Sequence, residues 1–118
     1  MMQIILVGPC AAGKTTLANA LCALGYDAHD VAQEHSNVQR MWRVIAHPNL
    51  VIFLDVSLET IHARLHVNWE QSYLDEMHRR LTDARAHSDF YVKTDPLSRE
   101  EVLTRVLEFL RSLPSESA

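Results

Sequence analysis

Gly8, Gly13, Lys14 and Thr15 stand in an order that can hold a polyphosphate: two glycines with four residues between them, then a lysine and a hydroxyl. A loop that wraps a diphosphate must point successive backbone N–H groups inward as an anion nest. Gly8 and Gly13 permit backbone angles and a closeness of approach that a side chain would block. Pro9, Cys10, Ala11 and Ala12 supply the backbone between them. Lys14 brings a mobile cation to the β- and γ-phosphates, the Thr15 hydroxyl suits Mg²⁺, and Thr16 is placed to touch the α-phosphate. A helix starting near Lys14 would turn the positive end of its dipole toward the same anion. This segment, Gly8 to Thr15, therefore reads as a phosphate-binding loop for a nucleoside triphosphate.

Such a loop needs a buried strand before it and a helix after it, and both signals are present. Gln3 to Val7 is an apolar run closed by Gly8 and Pro9, as in a strand covered on both faces of a parallel sheet. From Lys14 to Leu24, Leu17, Ala18, Leu21 and Leu24 fall on one helical face, and Gly25 is a natural stop. Tyr26 to Val31 is a weaker strand. Val38, Met41, Trp42 and Ile45 recur at helical spacing, which predicts a helix over Glu34 to Ala46, ended by His47-Pro48. Leu50 to Leu54 is a clear strand, followed by Ser57 as N-cap and a helix carrying Leu58, Ile61 and Leu65. A helix over Tyr73 to Ala86 carries Leu74, Met77 and Leu81, Phe90 to Val92 is the last strand, and Ser98 to Glu101 is a capping box opening the last helix. Strands separated by single helices predict one α/β domain over residues 1–113, with a reduced parallel sheet of about four strands and a frayed tail over 114–118. Ligands in such sheets sit outside the carboxyl ends of the strands. That edge gathers Gly8 to Thr16, His29 to Ser36, Asp55 to Ser57 and Thr94 to Pro96.

Composition narrows the partners. The chain has 118 residues, 47% apolar and 22% charged, enough for one core without staples. Its net charge of −4 and the lack of a basic stripe, with Arg79-Arg80 the only adjacent basic pair, argue against nucleic acid. No apolar run is long enough to span a bilayer, and only Met1, Met2 and Gln3 precede the first one, so a cytoplasmic protein without an export signal is expected. Cys10 and Cys22 are then expected to be free thiols. His62 and His66 share a helix face, but no third metal ligand accompanies them, and both are expected as exposed helix histidines. Trp42 is expected in the core and Trp69 at the surface.

The loop resembles those of the P-loop kinases, where a Gly-Pro start and a Gly-Lys-Thr-Thr-Leu-Ala finish are common, as in Gly8-Pro9 and Gly13 to Ala18 here. Val51 to Ser57 with Glu59 and Arg64 is similar to the strand and lid-entering helix of shikimate and nucleoside-monophosphate kinases. Phe90 to Ser98 with Glu100, Glu101 and Val102 resembles the last strand and helix of the shikimate kinase group, and together these segments cover about half the chain. The resemblance implies a three-layer P-loop NTPase fold, ATP and Mg²⁺ as cofactors, and a lid between Leu65 and Ala86. It also implies that Arg79 and Arg80, with Arg64 at the lid's start, contact phosphate. It further implies that the Asp95-Pro96-Leu97 turn flanks adenine, favouring ATP over GTP. The paired aspartates after strand two and the Gly-rich acceptor loop of shikimate kinases are missing, which speaks against shikimate as substrate. A GTPase is disfavoured too, because none of the three glycines follows an Asp by three positions.

On the acceptor side, Asp30 or Glu34 is expected to serve Mg²⁺ through water or to take a hydroxyl proton, and His35 is an alternative base. Asp55 ends a hydrophobic strand as a Walker B aspartate does. The expected function is Mg-dependent phosphoryl transfer from ATP to a small molecule, with Lys14, Asp30, Glu34, Arg79 and Arg80 as the catalytic set. The alternatives are a non-catalytic nucleotide-binding module and a bare NTPase. Neither the acceptor nor the oligomeric state is legible.

Overall fold

The computed structural model describes residues 3–42 and 50–113. Four strands, β1 (Gln3–Val7), β2 (Asp27–Asp30), β3 (Leu50–Asp55) and β4 (Phe90–Lys93), form one sheet in the order β2-β1-β3-β4. Every pairing is parallel, with Leu6 opposite Asp30, Val7 opposite Phe53 and Asp55 opposite Lys93. The helices bounded within the described residues are α1 (Lys14–Ala23), α2 (Leu58–Leu65), α3 (Gln71–Arg80), α4 (Thr82–Ala86) and α5 (Arg99–Ser112). The chain is thus α/β with a four-stranded parallel sheet, as its alternating signals predict.

Alternate side chains of the central strands feed two cores, as the two-residue period of a strand requires. Ile4, Leu6, Ile52 and Leu54 pack with Leu17 and Leu21 of α1 and with Val102, Val106 and Leu110 of α5. Ile5, Val7, Val51 and Phe53 pack on the other side with Trp42, Leu81 and Ala84. Because β1 and β3 are covered on both faces, they read as continuous apolar runs. No helix among the described residues is long and apolar enough to cross a membrane.

Helix ends follow local chemistry. Ser57 Oγ accepts from the Thr60 N–H to cap α2, and the Ser98–Glu101 capping box opens α5. Gly25, at φ 95°, turns the chain after α1.

Two expectations fail. The helix expected over Glu34 to Ala46 does not start at Glu34: Gln33–His35 is a short 3-10 turn, Ser36 is extended, and among the described residues of this stretch helix is present at Met41 and Trp42. Residues 43–49, with Ile45, Ala46, His47 and Pro48, lie outside the described residues, as do Met1, Met2 and the tail 114–118. Gln33 explains the departure. Fully buried, its amide nitrogen donates to the carbonyls of Val38 (2.8 Å) and Arg80 (3.1 Å), and its oxygen accepts from the Trp42 N–H (3.0 Å). One side chain thereby satisfies backbone groups that a helix would satisfy itself. Val38, expected on the apolar face, is 62% exposed. The helix over Tyr73 to Ala86 likewise breaks at Leu81 into α3 and α4. There Thr82 Oγ1 donates back to the carbonyls of His78 (3.3 Å) and Arg79 (2.9 Å).

Gly8 has no room for a side chain. A Cβ there, at φ 152°, would lie 1.9 Å from the Leu54 carbonyl oxygen, whereas a Cβ on Gly25 would meet nothing within 4 Å. Gly8→Ala should therefore lower unfolding free energy in urea by about 3 kcal/mol or more, against about 1–2 kcal/mol for Gly25→Ala, which carries only the positive-φ cost. Equal losses would show that the Leu54 contact is not limiting.

Candidate functional site

The site is built at the carboxyl ends of β1 and β2. Leaving β1, the chain turns through Gly8, Ala11 and Gly13 at φ 152°, 65° and 95°. Alternation into the left-handed region is how a loop forms an N–H nest. Helix α1 then starts on Gly13 with no side-chain cap and no acidic residue in its first turn. Its terminal N–H groups and dipole lack the partners that α2 and α5 receive from their serines.

Lys14 is buried. Its Nζ donates to the Gly8 carbonyl (2.6 Å) and the Pro9 carbonyl (3.3 Å) and forms an ion pair with Glu34 Oε2. Glu34 is 3% exposed, and its second oxygen, Oε1, is buried with no hydrogen-bond partner among the described residues. Beside this pair, the exposed Thr15 hydroxyl donates to Asp30 Oδ2 at 2.8 Å. The register of β2 on β1 makes both contacts: with Asp30 opposite Leu6, and the Val31 N–H bonded to the Leu6 carbonyl (3.0 Å), the segment after β2 runs along the loop.

Cys10 faces the same segment. Its Sγ lies 3.2 Å from His35 Nε2 and 3.9 Å from Glu34 Oε2. Burial and the adjacent Glu34 charge push its thiol up from the usual range, against the pull of Lys14.

On the other side of the loop, Arg64 ties three segments together. It donates to the Ala11 carbonyl (2.6 Å), to Thr94 Oγ1 (3.2 Å) and to the Thr94 carbonyl (3.0 Å). Thr94 in turn donates from N–H and hydroxyl to the Asp55 carbonyl. Asp95 accepts from the Ser57 N–H (2.7 Å), a bond that helps hold its carboxyl below the usual range despite burial. All four carboxyl-end segments are thus gathered on one edge. A cleft of about 710 Å³ opens there between Gly13, Thr16, Arg64, Thr94, Leu97 and Leu103.

The two arginines expected in a lid, Arg79 and Arg80, separate. Arg80 donates to the Glu34 carbonyl (3.4 Å) and to Asn37 Oδ1 (3.2 Å), and so borders the site. Arg79 does not: it is exposed, pairs with Glu76, and lines a different groove with Phe53, His78 and Arg85. The α3–α4 segment is also core, since Leu74, Met77, Leu81 and Ala84 are buried. Trp69, expected at the surface, is half-buried against Tyr73 at 4.6 Å between ring centroids, and its carbonyl bonds His62 Nε2 at 2.6 Å. His62 is therefore committed to the backbone rather than exposed.

Sequence reasoning missed the setting of Asp55. Its Oδ1 bonds His78 Nε2 (2.9 Å) and its Oδ2 accepts from the Tyr91 hydroxyl (2.5 Å). Burial raises its carboxyl, but the bonds from Tyr91, His78 and the Val56 N–H outweigh this and leave it lowered. The strand period was the available signal, because Tyr91 stands opposite Phe53, two residues from Asp55 on the same face. Cys10–His35 was the other omission; nothing in spacing alone pairs residues 10 and 35.

Compared with known proteins, the chain matches no family model, no curated protein and no solved structure.

Tyr91 offers a direct check on this site. Burial, the bond to Asp55 and that carboxylate's charge push its phenol up to about 12 from an ordinary 10.0. A raised folded value means that its contribution to stability is whole below about pH 10 and is lost as pH rises toward 12. Followed by phenolate absorbance, Asp55→Asn should bring one tyrosine midpoint down toward the ordinary value. An unmoved high midpoint would assign the shift to burial alone.

Proposed function

We propose that this chain binds a Mg²⁺-nucleoside triphosphate through Gly8, Pro9, Cys10, Ala11, Ala12, Gly13, Lys14, Thr15 and Thr16, and transfers its terminal phosphoryl group to a small-molecule hydroxyl. The reading assigns it to the P-loop NTPases, in a reduced kinase-like form. One observation carries it: a buried lysine and a Thr15–Asp30 hydrogen bond converge at the uncapped N-terminus of α1.

The residues fit the absent groups. Uncapped N–H groups at a helix start donate to phosphate oxygens, and Lys14 lies where it can exchange the Gly8 and Pro9 carbonyls for them. Thr15 and Asp30 offer oxygens that suit Mg²⁺, Thr15 directly and Asp30 through water. Magnesium would neutralise charge on the transferring phosphoryl group. The cleft beside Arg64 and Leu97 has room for a nucleotide's base and ribose, and the resemblance of the Asp95-Pro96-Leu97 turn to an adenine-flanking loop favours ATP over GTP.

Glu34 touches the ammonium that would meet the γ-phosphate, so it is suited to orient the attacking hydroxyl and accept its proton. Arg80, beside the Glu34 carbonyl, is suited to steady the charge that develops in transfer. Arg79 is not given that role, because it lines a different groove with Phe53, His78 and Arg85. A small acceptor is favoured over nucleic acid by the net charge of −4.

Asp30→Asn should reduce the gain in ATP affinity that Mg²⁺ gives by about 10–100-fold. Glu34→Gln should retain ATP binding while ADP release with a competent acceptor falls about 10²–10⁴-fold. ADP release that is indifferent to every hydroxyl acceptor would favour a bare NTPase, and tight binding without release a non-catalytic module. Undiminished turnover in Glu34→Gln removes Glu34 from the mechanism.

A further inference from the structure

The three metal-ligating side chains gathered beside the phosphate loop form a set that magnesium chemistry does not use. We propose that Cys10, Glu34 and His35 bind a zinc-type divalent cation with three protein ligands and a fourth position open. Their ligand atoms lie within 4.8 Å of one another. Bond lengths of about 2.3 Å to sulfur and 2.0–2.2 Å to nitrogen and oxygen place tetrahedral ligands about 3.6 Å apart. Sγ is 3.2 Å from His35 Nε2 and 3.9 Å from Glu34 Oε2, each within a few tenths of an ångström of that value, and the Glu34 and His35 atoms, within 4.8 Å of each other, would draw together on binding.

A second observation is independent of those distances. Glu34 is almost wholly buried, yet Oε1 has no hydrogen-bond partner among the described residues, while Oε2 holds Lys14. A buried carboxylate oxygen left unmet is costly. A cation at the cluster would draw on that oxygen, or share Oε2 with Lys14.

Ligand chemistry selects the metal. Thiolate and imidazole suit Zn²⁺ and Co²⁺ and are poor ligands for Mg²⁺. The same side chains could instead suggest a thiol nucleophile with a histidine base. The carboxylate 3.9 Å from the sulfur speaks against a bare thiolate, whereas a divalent cation among the three groups neutralises both negative charges. Three protein ligands with an open fourth position are the pattern of zinc sites that admit water or a ligand. Here that position would open beside the loop that carries Cys10. Cys10 and the Glu34–His35 turn come from different connections of the sheet, so bound metal would also bridge the loop to the segment after β2.

The test is titration of Co²⁺, then Zn²⁺, into the full chain under a thiol-free reductant, with folding checked by circular dichroism. Wild type should take up one Co²⁺ with a near-ultraviolet thiolate-to-cobalt charge-transfer band that Zn²⁺ abolishes. Cys22→Ser should keep the band and Cys10→Ser should lose it. His35→Ala, a change at an exposed position, should weaken Co²⁺ binding by at least about tenfold. The proposal is overturned by no band in folded wild type, by a band that survives Cys10→Ser or needs Cys22, or by unchanged affinity in folded His35→Ala. None of these readouts involves nucleotide, so failure here leaves the phosphate-loop reading to its own test.

Discussion

A lysine ammonium cannot be buried alone, and that constraint organises the carboxyl edge of this sheet. Lys14 is enclosed, and its charge is met by Glu34 and by the carbonyls of Gly8 and Pro9. Removing one partner of such a pair typically costs about 3–5 kcal/mol, because the other charge stays buried and unpaired. The loop can therefore take this shape only if the segment after β2 delivers a carboxylate to it. Everything that sets that delivery becomes part of the site: the Leu6–Asp30 register, the Gln33 hydrogen bonds that hold the turn, and the close seating of Gly8 on Leu54. The proposed exchange of these partners for phosphate would keep the lysine neutralised at every stage, which is what a low-dielectric pocket requires.

Burial and exposure divide the remaining residues by role. Thr15 and Asp30 are both exposed, so their hydrogen bond can be given up to a metal and its water at little cost. Arg64 joins the loop to the turn after β4, linking one wall of the cleft to the other. Asp55 is locked by His78 and Tyr91 and by the Val56 N–H. Its hydrogen-bonding capacity is spent on structure, in keeping with a strand-ending aspartate that positions rather than reacts.

Much of the fold was legible because its signals are local or periodic. Continuous apolar runs marked β1 and β3, Ser57 and Ser98 marked helix starts, and Gly25 marked a stop. The glycine–lysine–threonine spacing marked a loop after β1, and the structure sets Glu34 against Lys14 and Asp30 against Thr15 there. What escaped depended on tertiary partners. Helical spacing could not reveal that Gln33 would bond the Val38 carbonyl and the Trp42 N–H. Adjacent Arg79 and Arg80 look equivalent in sequence, but on a helix neighbours point about 100° apart, and only Arg80 borders Glu34. The contact of Cys10 with His35 spans 25 positions and follows from strand order alone.

The measurement that bears most directly on the proposed nucleotide site is calorimetric titration of Mg-ATP into wild type and into Lys14→Met/Glu34→Gln. The paired substitution removes the cation without stranding a buried carboxylate, so the variant should remain folded. Wild type should bind one Mg-ATP, and the variant should bind it about 10–100-fold more weakly, the value of one charge-assisted phosphate contact. No heat with folded wild type, or equal affinity in the two proteins, would contradict a phosphate-binding role for Lys14 and the loop around it.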